Sequence, residues 1–186
     1  MSIVILSGAR SLSGQTTRAV QSFMAGVAER SCAATQIHLP PAHLERCRQC
    51  EDNGWGLCRR SGRCVIDDDF AMLVQRIREA RAVVFATPVY YGDLSESLQA
   101  FLNRLRRICT QERGREGIAG KPALGICVAG GGGGGAPSCC VSLEKIIGTC
   151  GFDVVDMIPI RRQNLDIKLE QLRLSGQWFA GAPDSK

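Results

Sequence analysis

Residues 82–95 of this chain read AVVFATPVYYGDLS. The first six are almost entirely apolar, as expected of a strand that helices cover on both faces of a sheet. Proline, two tyrosines and a glycine then form a loop, and Ser95 precedes apolar residues at helical spacing. The segment therefore predicts a central parallel strand, a loop at its carboxyl end and a helix that crosses back over the sheet.

The same alternation of apolar runs and amphipathic stretches recurs along all 186 residues. Strands are predicted at about 2–7, 35–39, 82–87, 122–129 and 152–159. Helices are predicted at about 15–30, 67–80, 95–109, 138–150 and 165–181. Asp67 is the expected N-cap of the second helix. We predict one α/β domain over residues 1–186, a doubly wound five-stranded parallel sheet with a cysteine-rich connection at about 40–66.

The loop after the first strand reads SGARSLSGQTT, residues 7–17, and runs directly into a predicted helix. Its small residues let backbone N–H groups approach an anion, its hydroxyls add donors, and Arg10 offers a full positive charge. The loop carries neither a dinucleotide glycine fingerprint nor a Walker sequence. It predicts a site for a mononucleotide phosphate, with an ordinary turn in which Ser13 caps the helix as the alternative.

Both loops, together with the CVIDDD stretch at residues 64–69, resemble the NADPH-dependent FMN reductase and iron-sulfur flavoprotein families, which share a flavodoxin-like fold. The resemblance implies that the first loop binds the FMN phosphate and that the loop at 87–92 lies along the isoalloxazine ring. Gln15 stands where these families usually have Asn. The residues assigned to FMN in these two loops are Ser7, Arg10, Ser11, Ser13, Gln15, Thr16, Thr87, Pro88, Val89, Tyr90, Tyr91 and Gly92.

Six consecutive glycines, residues 130–135, follow the fourth predicted strand. The loops after strands one, three and four of such a sheet meet at its carboxyl edge, where ligands of open α/β sheets bind. A backbone without side chains can lie close to a flat ring, so Gly130, Gly131 and Gly132 are predicted to complete the FMN site. A mobile loop without such a role is the alternative.

Four cysteines in the long connection, Cys47, Cys50, Cys58 and Cys64, form the pattern C-x2-C-x7-C-x5-C. Four thiolates are the ligand set of structural zinc and of [4Fe-4S] clusters. Iron-sulfur flavoproteins carry their cluster in a comparable place with a more compact spacing, so the x7 interval resembles a loop insertion. The leading prediction is a [4Fe-4S] cluster, with zinc or free, redox-active thiols as alternatives.

Composition narrows the class of protein further. The formal charge of +5 comes largely from arginine, but no nucleic-acid module is recognisable, and Glu112 and Glu116 interrupt the densest arginine cluster. That cluster, which includes Arg104, is interpreted as a solvated face or as a contact for an anionic cofactor tail. No basic leader and no run long enough for a membrane span are present, so we expect a cytoplasmic protein with reduced thiols.

The remaining cysteines lie in apolar contexts and are expected to be buried, although a redox role for Cys139 and Cys140 beside the glycines is an alternative. The two histidines, His38 and His43, have no Ser or Cys partner arrangement, which disfavours a hydrolytic triad. No catalytic side chain is predicted, because a flavin carries its own redox chemistry.

The leading functional prediction is an FMN-dependent oxidoreductase that relays electrons between flavin and the four-cysteine cluster. One alternative is an NAD(P)H-dependent FMN, quinone or small-acceptor reductase with zinc or free thiols in the cysteine loop. The other is a non-enzymatic, flavodoxin-like electron carrier. NAD(P)H is a possible electron donor, and a redox protein or a small molecule is the expected partner. Resemblance to the reductases implies a homodimer or homotetramer.

Overall fold

A parallel five-stranded sheet forms the centre of the computed structural model, which describes residues 2–181. Its strands are β1 (Ile3–Ser7), β2 (Ala34–His38), β3 (Ala82–Pro88), β4 (Pro122–Ala129) and β5 (Asp153–Arg161). They lie in the order β2-β1-β3-β4-β5, and every neighbouring pair is parallel. This is the flavodoxin-like order, and it confirms the predicted fold class and all five predicted strands.

Helices connect the strands and cover both faces of the sheet. They are α1 (Gln15–Ala28), α2 (Leu57–Ser61), α3 (Phe70–Glu79), α4 (Glu96–Ile108), α5 (Glu112–Arg115), α6 (Ala136–Cys150) and α7 (Leu165–Gly181). The five long helices confirm the predicted ones. Helices α2 and α5 were not predicted, because helices of five and four residues are too short to show an amphipathic period. A 3₁₀ turn, Arg162–Asn164, precedes α7.

Two apolar layers hold the helices against the sheet. Alternate strand residues point to opposite faces, so Val83 and Phe85 belong to one layer while Val84 belongs to the other. The first layer packs under α3, α4 and α6, and the second under α1 and α7. Aromatic pairs such as Phe85 with Phe152, whose ring centroids are 5.4 Å apart, fill the interior of the first layer.

The start of α3 differs from the prediction. Asp67 is exposed, and the helix begins at Phe70 instead. The side chain that satisfies its first turn is Asp68, whose Oδ1 accepts a hydrogen bond of 3.2 Å from the Phe70 N–H. Within the described part of the chain, no helix is long and apolar enough to cross a membrane.

Candidate functional site

A cavity of about 820 Å³ opens at the carboxyl edge of the sheet. It lies where the loops after β1, β3 and β4 converge, because β1 and β3 flank the point at which the strand order reverses. Its walls are formed by Ala9, Arg10, Ser11, Gly14, Gln15, Thr16, Pro88, Val89, Tyr90, Val128, Ala129, Gly130, Gly131, Gly132, Gly133 and Gly134. A volume of this size is ordinary for a small-molecule or cofactor site.

The structure brings ten of the predicted FMN residues together in this wall. They are Arg10, Ser11, Gln15, Thr16, Pro88, Val89, Tyr90, Gly130, Gly131 and Gly132. The other five predicted residues, Ser7, Ser13, Thr87, Tyr91 and Gly92, are not among the wall residues that the structure describes. Ser7 and Thr87 make hydrogen bonds within the fold: the Ser7 hydroxyl accepts from the Ala9 N–H, and the Thr87 hydroxyl accepts from the Ser95 N–H.

Hydrogen bonds within the loop after β1, and from it to β3, fix its shape. The Gly8 N–H donates to the Ala86 carbonyl at 2.8 Å, and the Thr17 hydroxyl donates to the Ser11 carbonyl at 2.6 Å. In residues 2–181, no side chain caps α1 and no acidic residue lies in its first turn, so Ser13 does not act as the cap. The helix therefore presents N–H groups and the positive end of its dipole to the cavity, an arrangement that suits an anion.

The loop after β3 is a closed turn. Tyr90 and Asp93 exchange two backbone hydrogen bonds of 3.0 Å each, and the residues between them, Tyr91 and Gly92, both have positive φ angles of 51° and 82°. Tyr91 is fully exposed outside the cavity, whereas Val89 and Tyr90 line it. The turn therefore offers the cavity one apolar and one aromatic side chain and directs the second tyrosine to the surface.

The six glycines at 130–135, called the glycine wall below, contact neighbouring segments at two places. The Gly135 backbone packs so closely on Gly92 that a Cβ at position 135 would lie 2.6 Å from the Gly92 Cα. The Ser138 hydroxyl also donates to the Gly92 carbonyl at 3.1 Å, while Gln163 Nε2 donates to the Gly132 carbonyl at 2.9 Å. Ser138 and Gln163 were not predicted from the sequence, since neither belongs to a motif and both act through contacts distant along the chain.

The chemistry of the cavity fits FMN. The N-terminus of α1 and Arg10 suit the phosphate, and the apolar Val89 and the glycine backbone suit a flat ring. Gln15 Oε1 is buried and has no hydrogen-bond partner among the described residues, although Gln15 lines the cavity. A buried amide oxygen without a partner is costly, and the ribityl hydroxyls of FMN are donors of the kind that would satisfy it.

A second, much smaller cavity of about 20 Å³ is lined by all four cysteines of the long connection. Cys50 is exposed, and Cys47, Cys58 and Cys64 are half-buried. Residues 2–181 contain no group of three His, Cys, Asp or Glu side chains placed to hold one metal ion. The four cysteines therefore line one small space but do not form a metal site in the part of the chain that the structure describes. The volume of this space suits about one water molecule.

The ends of the cysteine connection are joined to each other. The His43 N–H donates to Asp69 Oδ2 at 2.7 Å, and the Asp69 N–H donates to the His43 carbonyl at 3.1 Å. The Glu45 N–H donates to Asp68 Oδ2 at 2.9 Å. The connection therefore leaves the body of the protein and returns to it at one place, which makes it a closed loop.

Arginines of α4 hold this loop against the helix. Arg107 donates to the Gly54 carbonyl at 2.6 Å, and its guanidinium carbon lies 4.6 Å from the centroid of the Trp55 ring. Arg59 contacts the same ring at 5.6 Å. The x7 interval is thus docked on α4 through Trp55.

Arg104 contradicts the interpretation of the arginine cluster as a solvated face. Its side chain is 1% exposed and makes two hydrogen bonds, of 2.6 and 2.8 Å, to the carboxylate of Asp68, which is itself fully buried. Burial alone would raise the pKa of Asp68, but hydrogen bonds from Arg104 and from the Glu45 and Phe70 N–H groups hold it below the usual value. The pair is an ionic core contact and not a solvated face.

Five other cysteines are buried as expected: Cys109, Cys127, Cys139, Cys140 and Cys150. Cys32 is only half-buried. Hydrogen bonds to Cys139 and Cys140, together with burial, raise the pKa of Cys127 far above its usual value. A thiol in that state stays protonated at neutral pH and is a poor nucleophile.

Comparisons with known proteins find flavoproteins among the relatives of this chain. A family model described as NADPH-dependent FMN reductase matches residues 1–163. An iron-sulfur flavoprotein of Methanocaldococcus jannaschii is 28% identical over 125 residues, which are 67% of this chain and 62% of that protein. Another, from Archaeoglobus fulgidus, is 27% identical over 117 residues, 58% of this chain and 57% of that protein. The chain thus spans about 60% of the length of these curated relatives.

Solved structures share the fold at low sequence identity. The NAD(P)H:quinone oxidoreductase from Methanothermobacter marburgensis has a TM-score of 0.68 at 19% identity, covering 100% of this chain and 99% of that one. A flavone reductase has a TM-score of 0.69 at 18% identity, covering 97% of this chain and 62% of that one. A flavodoxin from the domain Archaea has a TM-score of 0.59 at 11% identity, covering 98% and 100% of the two chains. These likenesses concern the fold alone.

Proposed function

The chain belongs to the NADPH-dependent FMN reductase family, and we propose that it is an FMN-dependent oxidoreductase that passes electrons between flavin and a [4Fe-4S] cluster. One observation carries the flavin assignment. A cavity of about 820 Å³ combines the uncapped N-terminus of α1, the glycine wall and a buried Gln15 oxygen that needs a donor. The names of the iron-sulfur flavoprotein relatives support the cluster.

Different residues of the cavity would bind different parts of FMN. The N-terminus of α1, with Arg10, would bind the phosphate, and Gln15 would accept from a ribityl hydroxyl. Val89 and the glycine wall would enclose the ring, because both offer apolar or side-chain-free surface close to a flat group. When bound, FMN supplies the electron-transfer chemistry.

The described wall residues include no Asp, Glu, His, Lys or Cys. We therefore propose that the protein positions FMN and excludes water from its ring, with no side chain acting as a general acid or base.

The four cysteines are proposed to hold a [4Fe-4S] cluster. In such a cluster each of four thiolates binds a different iron, and all four cysteines line one small space beside α4. Helix α4 links the two sites, since it follows the ring loop and its Arg104 lines the cysteine cavity. At 1.5 Å per residue, Glu96 and Arg104 are about 12 Å apart along the helix axis.

The test is a cofactor inventory of anaerobically purified protein. We expect one FMN per chain, released by heat, and about four irons and four acid-labile sulfides per chain. Stoichiometric zinc without sulfide, in protein made anaerobically with ample iron, would leave the flavin assignment and overturn the cluster. A colourless protein that takes up no added FMN would overturn the flavin assignment.

Electron donor and acceptor are tested separately. We propose NAD(P)H as the donor and a redox protein or a small molecule as the acceptor. Rapid bleaching of the flavin absorption by NADPH supports a reductase, whereas no reaction with either nicotinamide favours an electron carrier. Sedimentation of the same sample tests the predicted homodimer or homotetramer.

A further inference from the structure

Arg104 carries a full positive charge into the interior beside the cysteine cavity. Its side chain extends from α4 and is 1% exposed, and it lines the small cavity that Cys47, Cys50, Cys58 and Cys64 surround. Its guanidinium carbon lies 4.2 Å from the centroid of the Phe70 ring, which covers one face of the group. Few features cost a protein more than a buried charge, so the arginine needs an explanation.

Most of its hydrogen-bonding groups are occupied. One terminal nitrogen donates to the Glu45 carbonyl at 3.1 Å and to Asp68 at 2.6 Å, and the other donates to Asp68 at 2.8 Å. The Nε–H group, in contrast, is buried and has no hydrogen-bond partner in the part of the chain that the structure describes.

A contribution to folding stability does not by itself explain the ion pair between Arg104 and Asp68. A buried pair rarely outperforms apolar side chains of the same volume, because desolvation offsets the attraction. Here the pair is also asymmetric. Asp68 also accepts from two backbone N–H groups, whereas the guanidinium keeps one donor without a partner among the described residues, and Arg104 lines the cavity of the four cysteines. The buried positive charge therefore lies beside the four thiols.

We propose that Arg104 is a positioning residue that donates its Nε–H to a sulfur of the group held by the four cysteines and raises the reduction potential of that group. The inference rests on the proposed [4Fe-4S] cluster. One electron entering the cluster makes it more negative by one charge, and the step needs no proton. A nearby hydrogen bond and positive charge stabilise the reduced form more than the oxidised form, which raises the potential.

The experiment compares anaerobically purified full-length wild type with Arg104→Lys and with the double variant Arg104→Gln/Asp68→Asn. Iron, sulfide and FMN contents are measured first, and the midpoint potential is then determined by redox titration followed by electron paramagnetic resonance. Lysine keeps the charge but loses the Nε–H, and the double variant removes both charges together. Arg106→Lys is the matched control, since Arg106 lies on the same helix and is exposed.

We expect Arg104→Lys to bind the cluster with a midpoint potential lower than that of wild type by up to about 59 mV. For one electron, this shift is a tenfold change in the ratio of reduced to oxidised cluster at a fixed potential. The double variant is expected to fall at least as far, and Arg106→Lys to match wild type. A loaded Arg104→Lys cluster at the wild-type potential would overturn the inference alone. So would loss of iron from both Arg104 variants with FMN retained, because the arginine would then be a structural residue. A wild type without iron and sulfide would overturn the proposed cluster as well.

Discussion

Replacing Asp68 with alanine is expected to lower the free energy of unfolding by about 3–5 kcal/mol, the usual cost of breaking a buried ion pair from one side. Asp68 accepts four hydrogen bonds: two from Arg104, at 2.6 and 2.8 Å, and two from backbone N–H groups, at 2.9 and 3.2 Å. Each charge-assisted bond contributes about 1.5–3 kcal/mol alone, but one carboxylate makes all of them, so their sum overstates the loss. Most of the cost comes from the Arg104 charge left in the interior.

The assay is urea unfolding of FMN-loaded, metal-free, reduced protein, with wild type and variant at equal protein and FMN concentrations. The expected signature is a lower midpoint with an unchanged dependence on urea. Asp67→Ala is the matched control, because Asp67 is the neighbouring carboxylate and is exposed, so its change should stay within about 0.5 kcal/mol. A loss below about 1 kcal/mol for Asp68→Ala, or one equal to that of the control, would refute the argument.

Acid should reduce the difference between wild type and Asp68→Asn. Folding holds the pKa of Asp68 below its usual value, because the hydrogen bonds it accepts outweigh the effect of burial. A carboxyl of this kind stabilises the native state fully above its unfolded pKa of about 3.9 and loses that contribution as pH falls through the lower folded pKa. The difference in unfolding free energy should therefore be constant near neutral pH and shrink below about pH 4.

Three further predictions concern the cofactors. Arg10→Ala should weaken FMN binding by about 1.5–3 kcal/mol through loss of a charge-assisted phosphate contact, measured by fluorescence titration of the apoprotein; unchanged affinity would remove Arg10 from the site. Gly135→Ala should lower FMN affinity at least tenfold, because a Cβ there meets the Gly92 backbone and the φ of 82° disfavours alanine; Gly148→Ala, in α6 with open space at its Cβ and outside the cavity, is the control. Cys58→Ser should abolish iron binding while FMN content stays near wild type, and retention of iron would exclude Cys58 as a ligand.

The architecture could be predicted because its signals are local. Each strand is an apolar run between turn residues, and five such runs separated by amphipathic stretches suffice to indicate a doubly wound sheet. The loops after β1 and β3 could be recognised for the same reason, because the residues predicted to bind FMN are contiguous in each of them. Ten of the predicted FMN residues line one cavity.

The errors arise where a residue's role depends on a distant partner. Arg104 looked like a member of a solvated cluster, and only the fold brings it against Asp68, 36 positions earlier. Gln163 carries no signal of its own, because its contact with Gly132 exists only after β4 and β5 pair. Residue type alone predicts Asp67 as the N-cap, but three adjacent aspartates leave the position of the cap to geometry, which places it at Asp69.

Because the cysteine loop is closed at its ends, its length can change without disturbing the sheet. Its ends are fixed to each other by the contacts of His43 and Glu45 with Asp69 and Asp68, so residues added between them do not alter the spacing of β2 and α3. Lengthening a flexible loop costs only about 0.6 kcal/mol for each doubling. The segment can therefore be exchanged or extended as a unit, and chains of this fold can acquire, lose or respace a metal-binding module without redesigning the domain that carries it.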